Sequence, residues 1–69
     1  MVRRIDTRDL EHPEPLEMMT RALKDNTQNV TIVMIHHREP FPLYELATTM
    51  GYHYRATREG DAYHIEFSR

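Results

Sequence analysis

Three histidines stand where a small protein can do chemistry: His12, directly before "PEP", and the adjacent pair His36 and His37. Imidazole is the side chain that changes charge near neutral pH, so it serves as a base or a ligand. Glu14, two residues after His12, and Arg38 and Glu39, directly after the pair, add charge of both signs. His12, Glu14, His36, His37 and Arg38 form the candidate ligand-binding set. A zinc site there would need three or four N and O donors converging at about 2.0–2.2 Å. Adjacent histidines on an extended backbone point to opposite sides, and their spacing matches no zinc signature. No metal or cofactor is therefore assigned. Metal binding by His12, His36 and His37 is kept as a variant of the ligand reading.

Other chemistries lack their residues. The sequence has no cysteine, which removes thiolate nucleophiles, disulfides and zinc–thiolate sites. The two glycines, Gly51 and Gly60, make no phosphate-cradling loop, and Ser68 is the penultimate residue. No catalytic residue is assigned, and an enzyme is not expected. Nine Lys and Arg against eleven Asp and Glu give a formal charge of −2, which disfavours a nucleic-acid partner. There is no apolar run of about 18 residues and no signal-like N-terminus, so no membrane partner and a cytoplasmic location are expected.

The elements that must position these side chains can be read from periodicity. The 69 residues suffice for one small domain, expected to span 1–69. "VRRID" (2–6) reads as a strand. Pro13 and Pro15 suit a first helical turn. Glu14 and Glu17 complement its dipole, and Leu16, Met19 and Leu23 fall on one face. A helix over roughly 13–25 follows, closed by "DNTQN". "VTIVMI" (30–35) is a short β-branched run, hence a central strand. Leu43, Leu46, Ala47 and Met50 repeat the helical spacing, and Gly51 suits the stop.

The last segment alternates. A two-residue Gly60-Asp61 loop pairs Ala56 with Ile65 and Tyr54 with Phe67 on a buried face, and Arg55 with Glu66 on the other. The order βαβαββ predicts an α/β (α+β) two-layer sandwich: a four-stranded mixed sheet with both helices on one face. One alternate set of the central strand must then face away from the helices. Val33 and Ile35, with His53, Arg55, His64 and Glu66, form a candidate partner face, because exposed apolar surface marks interaction sites. The alternative is that long side chains drape over it. A homodimer or another protein partner would cover this face.

The stretch "LEHPEPLEMM" after an opening strand resembles the TusA (SirA-like) sulfur-carrier family, whose βαβαββ order spans nearly the whole chain. That family's carriers hold a persulfide on a cysteine before the first of the two prolines; here the position is His12. An imidazole cannot carry a sulfane sulfur, so the resemblance implies the architecture without the relay. A cysteine-less, uncharacterised sister family of bacterial and archaeal domains is similar, including a "PLY" helix start like that in "EPFPLYEL". The resemblance implies a non-enzymatic interaction or regulatory module, in redox metabolism by analogy, with a hemerythrin-like domain protein as a partner.

Overall fold

The computed structural model describes residues 1–69. Strand β1 (Val2–Asp6) is followed by helix α1 (Glu14–Lys24), strand β2 (Thr31–His36) and helix α2 (Phe41–Thr49). Strands β3 (His53–Glu59) and β4 (Ala62–Ser68) complete the βαβαββ order. The sheet runs β1-β2-β4-β3, with β1 and β2 parallel and the other pairs antiparallel. The predicted hairpin register is the observed one: Ala56 faces Ile65, Tyr54 faces Phe67 and Arg55 faces Glu66. Gly60, at φ +65, takes the first central place of the two-residue loop. A type II′ turn needs a positive φ there, and its twist matches that of the flanking strands.

Strand parity sets the layers. Ile5, Ile32, Met34, Ile65 and Phe67 lie on one face and share a buried cluster with Met19, Ala22 and Leu23 of α1 and Leu43, Tyr44 and Ala47 of α2. Both helices therefore cover that face. The β2 boundary differs from expectation by one residue. The strand begins after Asn29 (φ 54) and continues to His36, which hydrogen-bonded pairing with Tyr63 keeps extended. Tyr54 also differs. It lies on the helix-facing side, stacked on Tyr44 with centroids 4.1 Å apart, yet is 46% exposed because β3 is an edge strand.

Both helices open on a Pro-x-Pro step. Pro13 and Pro40 occupy the N-cap positions, and Pro15 and Pro42 lie in the first turns. Prolines there remove N–H groups that would otherwise lack partners. The far end of α1 is closed by side chains. Asn26, buried, donates to the Val30 carbonyl (2.8 Å) and accepts from its N–H (3.1 Å). Tyr52, 3% exposed, donates to the Leu23 carbonyl at 2.7 Å. That carbonyl is one of the last four of α1, which have no partner within the helix. Tyr52→Phe is expected to cost about 1–2 kcal/mol, read as a lower urea midpoint at unchanged slope. An unchanged midpoint would mean that water satisfies this carbonyl.

No helix is long and apolar enough to cross a membrane.

Candidate functional site

Parallel β1 and β2 both end at the edge of the sheet where α1 and α2 begin. A cleft of about 410 Å³ opens there, lined by His12, His36, His37 and Arg38, with Glu11 and Glu39 as its carboxylates. Its apolar wall is made by Leu10, Leu16 and Met34, and the proline steps of both helices contribute Pro15, Pro40 and Pro42. Four of the five expected ligand-site residues thus line one cavity. Glu14 does not: as the first residue of α1 it is exposed and absent from the lining. The His12–Pro13 peptide bond is cis, and His12 is exposed at the rim.

His36 is the most constrained ring in the cleft. The β1–β2 register pairs Asp6 with Ile35, so the next residues, Thr7 and His36, lie side by side. Thr7 is fully buried, and its Oγ1 is 2.9 Å from both the Ile35 carbonyl and His36 Nδ1. A carbonyl only accepts, so the single hydroxyl proton of Thr7 is committed to Ile35. With that proton on Ile35 the hydroxyl oxygen accepts from His36, an arrangement that assigns the ring proton to Nδ1. His36 Nε2 is left as a lone-pair acceptor with no partner in the chain. Burial, followed by the positive charge of His37 and Arg38, lowers the pKa of His36 below its ordinary value of 6.5. The shift favours the neutral ring.

His37 is oriented differently. Its Nε2 donates to the Arg8 carbonyl at 3.0 Å, and its ring centroid is 6.1 Å from that of His36. The turn presenting that carbonyl is fixed by Asp6, which accepts from the Arg8 backbone N–H (3.1 Å) and from its guanidinium (Nη2 at 2.7 Å, Nε at 3.0 Å). The side-chain bond to Arg8 is the main reason that the Asp6 carboxyl is lowered to about 2. No three His, Asp or Glu side chains are grouped so as to hold a metal ion. The two adjacent rings are held by different partners, and neither is free to converge with His12.

The candidate partner face is less apolar than its sequence suggests. Val33, Ile35, His53, Arg55, His64 and Glu66 all lie on the side away from the helices by register. Val33, however, is only 7% exposed, flanked by Arg4 on β1 and Glu66 on β4. Ile35 and His64 are half-buried, and His64 Nδ1 is 3.2 Å from Glu59. His53, Arg55 and Glu66 are exposed. Val33, the apolar centre of this face, thus presents little surface.

Sequence reasoning missed Glu11 and Met34 in the cleft lining, and Thr7 as the buried partner of His36. Thr7 had a signal: a hydroxyl one residue past a parallel strand sits beside whatever follows the neighbouring strand. Elsewhere Tyr44 is 6% exposed with no partner for its hydroxyl, and burial above all, with Glu39 nearby, pushes that phenol up to about 12.

A family model described as an uncharacterized conserved protein (DUF2249) matches residues 4–69. No curated protein and no solved structure matches the chain. The match takes in β1 from Arg4 onward, β2, both helices and the hairpin, and on that extent the chain belongs to the DUF2249 family.

Proposed function

We propose that this chain is a binding domain whose working site is the cleft between the two helix mouths. Its ligand is a small anion that still carries a proton. In this reading the architecture is that of a sulfur carrier without the relay, since a chain with no cysteine cannot hold a persulfide. What carries the proposal is His36: a neutral ring, its proton fixed on Nδ1 by Thr7, offering an unpartnered Nε2 acceptor in the cleft lining. An acceptor asks for an N–H or O–H on the ligand. Arg38 and the dipoles of two helix first turns favour negative charge, set against the Glu11 and Glu39 carboxylates of the same lining, which favour a ligand that also brings protons. Leu10, Leu16 and Met34 accommodate a short apolar part. The cavity volume lies within the usual range for small-molecule sites.

The alternative, a protein partner on the open face of the sheet, keeps its polar residues His53, Arg55 and Glu66 but loses Val33 from the accessible surface. For the metal variant, zinc chloride titrated alone is expected to leave the three cleft rings without a common saturation curve.

Hydrogencarbonate and phosphate are suitable head-group probes, because each pairs a negative charge with an O–H near neutral pH. Titrated against the protein, either should shift the ring resonances of His12, His36 and His37 along one saturable curve. Chloride at equal ionic strength should not. His36→Phe should weaken the response about tenfold, the cost of one hydrogen bond to a constrained acceptor. Equal responses to chloride, or three rings that titrate independently, would overturn the proposal.

A further inference from the structure

The outer edge of β3 has no partner in the sheet, and its sequence fits a second copy of itself. We propose that two copies of this chain associate through antiparallel pairing of β3 with β3, about a two-fold axis at Ala56, to form a continuous sheet.

The backbone defines the register. Glu59 and Ala62 close a two-residue hairpin, so they form a hydrogen-bonded pair of the β3–β4 ladder. Alternation makes Thr57, Arg55 and His53 the other residues whose backbone groups point to β4. The N–H and C=O groups of Tyr54, Ala56 and Arg58 therefore point outward, unpaired. An axis at Ala56 sets Ala56 against its own copy and Tyr54 against Arg58 in both directions. Every outward-pointing group then meets another.

Side chains agree with this register. On the helix-facing side, each Arg58 guanidinium, whose Nε donates to the Gly60 carbonyl of its own chain at 3.1 Å, stands opposite the exposed Tyr54 ring of the other copy, the placement for a cation–π contact. On the open side, His53 faces the other copy's Glu59, and Arg55 faces Thr57. Shifting the axis to Arg55 opposes two arginines, which costs repulsion. Shifting it to Thr57 sets Arg55 against Glu59, but it places Tyr54 against the turn residue Gly60, leaves its backbone groups poorly matched and loses the Tyr54–Arg58 pairing. One register thus satisfies backbone, charge and aromatic pairing together. Charged residues on an edge strand usually deter pairing; here their order along the strand is self-complementary. The contact is small, one seven-residue strand from each copy, so the association should be weak and concentration-dependent.

Sedimentation velocity from about 10 μM to 1 mM is the direct test, read together with amide hydrogen exchange. The expected result is a shift from monomer to dimer mass. Protection of the Tyr54, Ala56 and Arg58 amides should rise with concentration while Arg55 and Thr57 stay protected throughout. Ala56→Pro removes an outward N–H without breaking the β3–β4 ladder, as edge positions allow, and should stay monomeric. Arg58→Glu, which leaves the backbone unrestrained, should weaken association at least tenfold. A monomer at every concentration would overturn the proposal. So would a dimer whose exchange pattern leaves the three outward amides open, or one that Arg58→Glu does not affect.

Discussion

Replacing Met34 by alanine is expected to lower the unfolding free energy by about 2–5 kcal/mol, a large share of what a domain of this size has. Met34 is fully buried on the central strand, between Ile5 of β1 and Ile65 of β4. It belongs to the core and also forms part of the cleft wall. Truncation removes its transfer free energy and leaves a void that the two helices can close only in part. Urea unfolding at neutral pH measures the loss. Met18→Ala, at a position 43% exposed on α1, is the control and should fall within about 0.5 kcal/mol of the parent. Equal effects at the two positions would mean that the core is not organised around β2.

The second expectation concerns Thr7. Valine matches its shape and keeps a β-branched side chain, but it can neither donate to the Ile35 carbonyl nor accept from His36. The carbonyl retains the Thr7 backbone N–H at 2.9 Å, whereas Nδ1 of the half-buried His36 is left without a partner. Thr7→Val should cost about 1–3 kcal/mol, the range for an unsatisfied buried polar group. It should also release the ring to populate both tautomers.

The pH dependence follows from the sign of the His36 shift. Its folded pKa is lowered, so the unfolded chain binds the proton more readily. Stability from the neutral ring is fully present above the ordinary value of 6.5. It falls as pH drops from there to the lowered folded value. A hydrogen bond to the Thr7 backbone partly opposes the lowering, and Thr7→Val leaves that backbone in place, so the variant should lose stability over the same pH range as the parent.

Most of the fold was legible because the apolar periodicities are strong and the turns are explicit. The hairpin register was fixed twice over, by Ile65 and Phe67 on one face and by Arg55 with Glu66 on the other. The extent of β2 was less legible, since His36 is polar and resembles a loop residue in a one-dimensional pattern. Tyr54 had the right parity, but parity does not reveal which strand is the sheet edge. The gathering of His12, His36, His37 and Arg38 followed from topology alone: parallel strands bring the segments after them to one edge. The role of Thr7 did not, because it depends on a register known only once β1 and β2 are paired. Nor did the covering of Val33, which depends on residues of β1 and β4 that are distant in sequence.

Long-range proton–nitrogen correlation spectra of the wild-type histidine rings, recorded at pH 7.5 to 8 (above the ordinary histidine pKa), test the central claim most directly. The account predicts a neutral His36 with its proton on Nδ1 and a bare Nε2. A ring protonated on Nε2, with Nδ1 as the bare nitrogen, would contradict it and remove the acceptor from the cleft.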